Sequence, residues 1–170
     1  MKEYIPIPGS TKEKILTSAF DTFTKQRFEE TNINDIAKKA NVTTGAIYHH
    51  FGSKSKLLDI IKREVEQRIV DRMEGVIDLF ETPLEKVEAA LKTGLDFVIK
   101  KKMSYLFIDA QGLEANKVYM LVEELCGETG IKGLESMIYS AWISIIDSIT
   151  NGKLTTEDGK KLISWLIKKN

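Results

Sequence analysis

The sequence predicts an all-α protein, with a small N-terminal helical domain followed by a C-terminal helical bundle. Three observations support this fold class. Apolar residues recur at helical spacing along most of the chain, capping residues precede most of the apolar runs, and no segment alternates as a strand would. The 170 residues suffice for a buried core, and 42% hydrophobic with 29% charged residues is typical of a globular protein.

The N-terminal third predicts three short helices. Residues 1–9 hold two prolines and a glycine and predict a flexible arm. Ser10 and Glu13 have capping-box spacing and start the first helix. Asn32 is expected to cap the second helix, which ends at Asn41, a residue type that tolerates the left-handed conformation. Thr43 is expected to cap a third helix that runs through His50.

The rest of the chain predicts longer helices. Gly52 stops the third helix and Ser53 caps a fourth, which carries apolar residues at 3–4 spacing for more than five turns. Thr82 and Pro83 begin a further helix that runs to about Lys102. The remaining predicted helices are about 104–110, about 115–126, about 133–150 and one from near residue 155. We assign residues 10–55 to the N-terminal domain and 56–170 to the C-terminal domain.

Composition excludes several classes of site. Cys126 is the only cysteine, so neither an internal disulfide nor a cysteine-cluster zinc site can form, and a cytoplasmic location is expected. The formal net charge is +0, with a slight basic excess in the first third of the chain. No apolar stretch is long enough for a membrane span or a signal peptide, so no membrane partner is expected. No cofactor is predicted.

The second and third predicted helices form a helix-turn-helix arrangement, because only Asn41 and Val42 separate them. The third helix divides by face. Ile47 and Phe51 are four residues apart and are expected to face the core together with Val42. The opposite face carries small, hydroxyl, aromatic and imidazole groups, which suit the major groove of DNA. The residues of this outward face are Thr44, Gly45, Tyr48 and His49.

The stretch Asn32 to Leu58, NINDIAKKANVTTGAIYHHFGSKSKLL, resembles the DNA-binding signature of the TetR family of transcriptional regulators. The resemblance spans roughly residues 10–60, about a third of the chain, and includes the Ile15, Leu16, Ala19 and Phe20 pattern of the first helix. The matching residues of the signature are Ile33, Ile36, Ala37, Ala40, Val42, Gly45, Tyr48, Phe51, Lys54, Leu57 and Leu58.

The resemblance implies a DNA-binding role for part of this surface. It implies contacts at or near base edges from Thr43, Thr44, Gly45 and Tyr48. It implies phosphate contacts from Thr31, Tyr48, His49, His50 and Lys54, and we include Asn32 in the same surface. Two residues depart from the family pattern: Arg27 and Asn41 stand where glycine is usual. The Arg27 loop is therefore expected to differ locally and to bring an added positive charge.

The adjacent His49 and His50 raise a metal site as an alternative. Neighbours on a helix point about 100° apart, and no acidic or cysteine partner lies at chelating spacing, so no metal site is predicted. Gly45 allows either close approach of DNA or internal helix packing, and both alternatives stay open.

The C-terminal domain is expected to bind a small-molecule effector and to form a homodimer, as the resemblance implies. The ligand is unknown, and most of the aromatic and methionine side chains in this region are expected to be core. The candidate ligand residues are Met103, Tyr105, Phe107, Tyr119, Met120 and Trp142. The last two helices look like half of a four-helix dimer interface, because one is apolar on most of its circumference. The candidate interface residues are Ile138, Trp142, Ile145, Ile149, Leu162, Trp165 and Leu166.

These observations predict a ligand-responsive, homodimeric regulator of transcription that binds a palindromic double-stranded operator. A repressor is favoured over an activator. Two other classes were weighed. An enzyme is not predicted, because the sequence offers no Ser/His/Asp, Cys/His or Glu-x-x-His arrangement. A helical adaptor that binds protein through the N-terminal module is the second alternative, and the salt dependence of DNA binding separates it from a regulator.

Overall fold

The computed structural model describes residues 7–108 and 116–168, and all the regular structure in these two ranges is α-helical. The all-α prediction is therefore confirmed. The helices are α1 (Thr11–Phe23), α2 (Ile33–Ala40), α3 (Thr44–Phe51), α4 (Lys54–Ile77), α5 (Pro83–Lys100), α6 (Tyr105–Ile108), α7 (Lys117–Gly127), α8 (Leu134–Thr150) and α9 (Thr156–Lys168). Residues 1–6 of the predicted arm lie outside the described residues.

The chain divides between Glu64 and Val65 into two compact units, which we call the N-terminal unit and the C-terminal unit. The division falls inside α4, whereas the sequence placed the boundary at residues 55 and 56, in the first turn of that helix. The apolar periodicity of α4 continues through this division without a break. The position of the division therefore could not be predicted from the sequence. Both units therefore share one continuous element.

Local capping chemistry sets most helix ends where the sequence predicted them. The Ser10 hydroxyl accepts a hydrogen bond from the Glu13 amide (3.2 Å) at the start of α1. Thr82 and Glu85 form a complete capping box at the start of α5, with Pro83 in the first turn. These caps satisfy amide groups that have no partner within the helix, so they define the first turn without help from tertiary contacts.

The N-terminal unit has its own core, which lies between α1, α2, α3 and the first turns of α4. Packing of α1 on α2 and of α2 on α3 brings their apolar stripes together. Burial removes this apolar surface from water, which is the main stabilising contribution for so small a unit. Its buried apolar residues are Ile15, Leu16, Ala19, Phe23, Ile36, Ala37, Ala40, Ile47, Phe51, Leu57 and Ile61.

The C-terminal unit is built around α5 and α8, against which α6, α7 and α9 pack. Trp142 of α8 lies at its centre with none of its surface exposed, and the indole Nε1 donates to the Leu91 carbonyl oxygen (3.0 Å). Gly94 of α5 allows this close approach, since a Cβ there would meet the Met73 methyl and the Trp142 ring. The core is therefore tightly packed around one indole.

The segment after α5 differs from the sequence-based expectation. The helix ends at Lys100, and Lys102 has φ 55°, which breaks the helical course that was expected to reach residue 102. The predicted helix over 104–110 is the single turn α6 within the described residues. Asn116 caps α7, and residues 109–115 of these two predicted pieces lie outside the described ranges.

Across the described part of the chain, none of the helices combines the length and the hydropathy that crossing a membrane requires.

Candidate nucleic-acid interface

Two turns hold the short helix α3 in place. Asn41 ends α2 in the left-handed conformation (φ 54°, ψ 49°), as its residue type predicted. Thr43 then caps α3, since its hydroxyl accepts a hydrogen bond from the Ala46 amide (3.1 Å). Gly52, with φ 79°, ends α3 in a conformation that a side chain would disfavour. The length and direction of α3 therefore follow from residues on both sides of it.

The two faces of α3 divide largely as the spacing predicted, although Val42 and Thr44 are both half-buried. Ile47 and Phe51 are buried against the core, whereas Gly45 is exposed and 47% of Tyr48 is exposed. A Cβ at Gly45 would meet only the Thr43 hydroxyl at 3.7 Å, so this glycine is not required by internal packing. Of the two alternatives for Gly45, the geometry favours an approach from outside. The exposed residues form a face that carries polar and aromatic groups and is open to solvent.

The histidines of α3 are both exposed, and their rings lie in edge-on contact. The rings of His49 and His50 have centroids 5.4 Å apart and planes at 69°, an edge-on arrangement. Among the described residues, no group of three or more His, Cys, Asp or Glu side chains is arranged to hold a metal ion. The two imidazoles therefore offer separate hydrogen-bonding groups to solvent or to a bound partner.

Thr31 and Asn32 are placed differently from the DNA contacts that the resemblance implied. Thr31 is only 4% exposed, and its hydroxyl donates to the Arg27 carbonyl oxygen (3.1 Å). This corrects the expectation that Thr31 offers its hydroxyl to a phosphate, because the group is already used inside the loop. Asn32 is exposed, and its side-chain oxygen caps α2 by accepting from the Asn34 amide (2.9 Å).

Lys54 also has internal partners. Its ammonium group donates to the carbonyl oxygens of Phe28 (2.7 Å) and Thr31 (2.8 Å). The same nitrogen lies 4.1 Å from the centroid of the Phe28 ring, within the range of a cation–π interaction. Lys54 was expected to bind a phosphate, but the structure places it against the loop between α1 and α2. Sequence spacing gave no signal of this contact, which joins residues far apart in the chain.

Nearby charges are partly engaged within the N-terminal unit. Lys39 of α2 lies 3.4 Å from Asp21 of α1 and donates to the Thr22 hydroxyl (3.2 Å). The hydrogen bond from Lys25 lowers the pKa of Asp21; burial works against this, and Lys39 adds to the lowering. Arg27 does not adopt the left-handed conformation that its glycine-like position suggested, since its φ is not positive.

The exposed face of α3 has the chemistry of a major-groove reader. Threonine offers a donor, an acceptor and a methyl group, and the aromatic and imidazole groups reach phosphates or sugar. An α-helix fits the major groove, which is about 12 Å wide. The described face therefore combines accessible polar groups with a rigid, well-packed support, which is what sequence readout needs.

Comparison with known proteins identifies this region. Residues 15–61 match the model of the family described as "Bacterial regulatory proteins, tetR family". The match covers 47 of the 170 residues, so the N-terminal domain is similar to the regulatory proteins of this family. The match begins in α1 and ends in the first turns of α4, so it covers the helix-turn-helix and the loop that Lys54 contacts.

Two curated regulators of transcription are similar to about half of this chain. The HTH-type transcriptional repressor KstR2 of Mycolicibacterium smegmatis is 30% identical over 80 residues, covering 47% of this chain and 39% of that protein. The HTH-type transcriptional regulator LmrA of Bacillus subtilis is 35% identical over 89 residues, covering 49% and 45%. The chain thus spans less than half the length of these relatives.

Solved structures of TetR-like regulators share the fold over nearly the full chain. The transcriptional regulator FadR from Bacillus subtilis, solved in complex with stearoyl-CoA, has a TM-score of 0.72 at 17% identity and covers 93% of this chain and 98% of that one. A TetR-like regulator from Rhodococcus has a TM-score of 0.69 at 21% identity, with 96% of each chain covered. These likenesses establish the fold, and they extend it to the C-terminal unit.

The candidate effector residues of the C-terminal unit do not all come together. Phe107 and Trp142 stack edge-on with ring centroids 6.2 Å apart, and both are buried. Met103 is buried as well, and Tyr105 is half-buried. Met120 is exposed and instead lines an open surface groove of about 400 Å³. The structure therefore separates Met120 from the buried aromatic group.

Tyr139 joins that aromatic group, although the sequence analysis did not select it. Its ring lies 6.1 Å from Trp142 and 5.4 Å from Tyr119, measured between centroids. The Tyr119 hydroxyl pairs with the Ser136 hydroxyl (3.0 Å), whereas the buried Tyr139 hydroxyl has no hydrogen-bond partner among the described residues. Sequence pattern could show that Tyr139 is internal, but not that its hydroxyl is unpaired.

A buried carboxylate lies in the same unit. Glu66 of α4 accepts hydrogen bonds from the Asn116 side chain (3.1 Å) and from the Lys117 amide (3.3 Å). Burial raises the pKa of Tyr139, and the charge of Glu66 raises it further, so this phenol stays protonated at neutral pH and has a proton to donate. A buried donor without a partner costs about 1–3 kcal/mol, which makes Tyr139 a candidate ligand contact.

The predicted dimer residues of α8 and α9 fall into two sets. Three of them, Ile138, Trp142 and Ile145, are buried inside the protomer, so the expectation that these contact a partner chain is corrected. Their burial arises because α8 packs against other helices of its own chain on most of its circumference. On α9, Trp165 is 59% exposed and Leu162 is 39% exposed, although a helix normally turns such side chains inward.

The inward and outward stripes of α9 explain this exposure. Gly159, Ile163 and Ile167 recur every four residues and face the protomer core. Leu162 and Trp165 lie on the opposite side, while Leu166 of α9 and Ile149 of α8 are half-buried. The helix is therefore apolar on two faces, and among the described residues the face of Gly159, Ile163 and Ile167 is the buried one.

Proposed function

We propose that this protein is a homodimeric DNA-binding regulator of transcription whose operator affinity responds to a small molecule. The observation that carries this proposal is the exposed face of α3, with Tyr48, His49 and His50 supported from behind by Ile47 and Phe51. In the dimer, two copies of α3 would read half-sites about 34–36 Å apart in neighbouring major grooves. The names of two curated relatives, in which repressor or regulator occurs, favour a repressor.

The second copy is proposed to bind through α8 and α9. Leu162 and Trp165 supply an exposed apolar stripe, and Met137 adds an exposed apolar side chain on α8. Pairing two such faces gives a four-helix interface, in which each stripe covers its counterpart. This revises the predicted interface, since three of the four α8 residues that the sequence selected, Ile138, Trp142 and Ile145, are buried in the core.

The effector is proposed to bind at the buried aromatic group of the C-terminal unit. Phe107, Tyr119 and Trp142 offer an apolar lining, and the free hydroxyl of Tyr139 offers one hydrogen bond to an acceptor on the ligand. The FadR structure, which holds stearoyl-CoA, shows that one protein with this fold accommodates an apolar chain. In our chain the nearby Glu66 carboxylate disfavours a second anion, so the acceptor is expected to be neutral.

Coupling between effector and DNA is proposed to run through α4. The aromatic rings pack directly on one another, so a ligand entering here must separate them and thereby favours a different arrangement of the helices. Glu66 lies on α4, and its hydrogen bonds to Asn116 and Lys117 join that helix to the start of α7. The same helix begins at Lys54, beside the DNA-reading unit. By linkage, an effector that lowers DNA affinity must bind more weakly to the DNA-bound dimer.

DNA binding can be tested by selecting bound duplexes from a random pool with the full chain. Enrichment of a palindrome would support the proposal and would give the half-site spacing. Affinity for the selected site should fall steeply as salt rises, because phosphate contacts release condensed counterions. If no duplex is enriched, or if binding is insensitive to salt, the N-terminal unit is better described as a protein-binding module.

The site can be tested with Tyr48→Ala. This change removes an exposed aromatic group from α3 and should weaken operator binding by at least about tenfold, since one base or phosphate contact contributes roughly 1–3 kcal/mol. Phe80→Ala is the matched control, because Phe80 is exposed to a similar fraction (41%) but lies in the other unit. Equal effects of the two substitutions would contradict the assignment of the surface.

The dimer face can be tested with Trp165→Asp, measured by sedimentation at several protein concentrations. We expect the variant to sediment as a monomer at concentrations where the native chain is a dimer, because a charge would be buried in the interface. Leu79→Asp is the control, since Leu79 is an exposed apolar residue outside α8 and α9. A Trp165→Asp chain that remains dimeric would refute this interface.

A further inference from the structure

Lys54 is the first residue of α4, an unfavourable position for a cation by itself. The N-terminal end of a helix carries a partial positive charge, which repels an ammonium group. The two carbonyl oxygens that Lys54 contacts, those of Phe28 and Thr31, offset this cost at 2.7 and 2.8 Å. An ammonium group has three protons to donate. Two of them are thus directed at the protein's own backbone, and the Phe28 ring lies beneath the nitrogen.

The loop that Lys54 contacts is closed by its own hydrogen bonds. Thr31 donates from its hydroxyl to the Arg27 carbonyl (3.1 Å), and Gln26 donates from its side chain to the Glu30 carbonyl (3.1 Å). The Phe28 ring stacks on Phe23 of α1, with centroids 6.2 Å apart. The loop between α1 and α2 is therefore rigid and fixed to α1, and a side chain that binds this loop has a fixed position relative to α1.

The loop between α1 and α2 is followed directly by the two helices of the helix-turn-helix, α2 and α3. Thr31 is followed by Asn32, whose side chain caps α2, and α2 is joined to α3 only through Asn41, Val42 and Thr43. The hydrogen bond from Lys54 to the Thr31 carbonyl oxygen therefore fixes the position at which α2 starts. The position of α2 in turn determines the position of α3. Lys54 links the first turn of α4 to this start point across 23 residues of sequence.

We propose that Lys54 is a positioning residue, which clasps the α1–α2 loop and holds the helix-turn-helix in register with α4, and that it is not a phosphate ligand. The proposal rests on the proposed DNA-binding function, which it deepens. A movement of α4 would pull on the start of α2 through this clasp. DNA affinity then depends on Lys54 through the placement of Tyr48 and its neighbours on α3.

The test compares Lys54→Met with Lys56→Met in the full chain. Both substitutions remove one positive charge from the first turn of α4 and keep an unbranched side chain, but Lys56 is exposed, whereas Lys54 donates to the Phe28 and Thr31 carbonyl oxygens. Affinities for the selected operator and for a random duplex are measured over a salt series. Losing the clasp should lower operator affinity by roughly tenfold or more, given the strength of charge-assisted hydrogen bonds.

The salt slope and the specificity ratio separate the two roles. For a positioning residue, Lys54→Met reduces operator affinity more than random-duplex affinity, and the slope stays that of Lys56→Met. For a phosphate ligand, both affinities fall together and the slope flattens by about 0.9 for each protomer. The second result would overturn the proposal.

A measurement on the native chain covers the case in which Lys54→Met fails to fold. Lysines are acetylated briefly in the free protein and in the operator complex, and the extent at each position is read by mass spectrometry. We expect Lys54 to react several-fold more slowly than Lys56 already in the free protein, because its ammonium group is held by two carbonyls. If Lys54 reacts as fast as Lys56 when free and is protected only by DNA, the clasp is refuted. A chain that enriches no DNA would refute the proposed function, while slow labelling of free Lys54 would still support the clasp.

Discussion

Tyr139 and Tyr119 are neighbours whose hydroxyl groups should affect stability with opposite sign. Replacing either by phenylalanine removes one oxygen atom and leaves the ring in place. The Tyr139 hydroxyl is buried without a hydrogen-bond partner among the described residues, so Tyr139→Phe removes an unsatisfied donor. The Tyr119 hydroxyl pairs with Ser136 at 3.0 Å, so Tyr119→Phe breaks an existing hydrogen bond.

The magnitudes follow from general values for such groups. An unsatisfied buried hydroxyl costs about 1–3 kcal/mol, and the small void left by its oxygen offsets part of the gain, so Tyr139→Phe should raise the free energy of unfolding by about 1 kcal/mol. Loss of a neutral hydrogen bond lowers it by about 0.5–1.5 kcal/mol for Tyr119→Phe. For a chain of this length, 1 kcal/mol corresponds to about 2–4 °C in Tm.

Urea unfolding followed by tryptophan fluorescence is the suitable assay. Trp142 and Trp165 are the only tryptophans in the chain and both lie in the C-terminal unit, so the signal reports the unit that is changed. Protein concentration is held constant, because the proposed dimerisation would make stability depend on it. A Tyr139→Phe chain that is less stable than the native one by 1 kcal/mol or more would show that the hydroxyl has a partner, and the reasoning would fail.

Three further changes test other parts of the structure. Asn41→Ala should destabilise the N-terminal unit by about 1 kcal/mol relative to Asn41→Gly, since alanine disfavours φ 54°; hydrogen exchange of the α3 amides measures this. Gly159→Ala should lower Tm, because its Cβ would lie 2.9 Å from the Ile145 Cγ2, whereas Gly75→Ala, with open space around it, should raise Tm. Burial, helped by the Glu135 carboxylate, raises the pKa of the Cys126 thiol from 9.0 to about 11. Between these two values the native thiol keeps a proton that the unfolded chain releases, so stability should fall as pH rises, and urea titrations should show a smaller fall in Cys126→Ala.

The helices and their ends could be predicted from the sequence because they depend on neighbouring residues. Thr43, Asn41 and Thr82 act within four positions of themselves, through caps and through one backbone conformation that asparagine adopts easily. The inward face of α3 was predictable for the same reason, since Ile47 and Phe51 lie one turn apart. The proposed DNA-reading surface therefore rests largely on local spacing and on the family resemblance.

The partners of Lys54, Thr31 and Trp142 were not predictable in this way. Lys54 carries a mobile charge that spacing assigns to solvent or phosphate, and only the folded N-terminal unit brings the Phe28 and Thr31 carbonyls to it. Trp142 looked equally suited to a ligand pocket, an interface or the core. Its burial was decided by Gly94 on α5, which leaves room for the indole ring and is distant in sequence.

The sequence by itself determined the all-α class, most of the helix ends and the burial of Ile47 and Phe51 on α3, because each depends on interactions between residues less than about two turns apart. The tertiary structure alone decided which apolar face of α9 is covered, which buried hydroxyl lacks a partner, and where the Lys54 ammonium group binds. Those outcomes depend on groups that come from distant parts of the chain and compete for the same space and the same hydrogen bonds. Periodicity shows whether a side chain is apolar or charged, but it does not show which group from a distant part of the chain contacts that side chain.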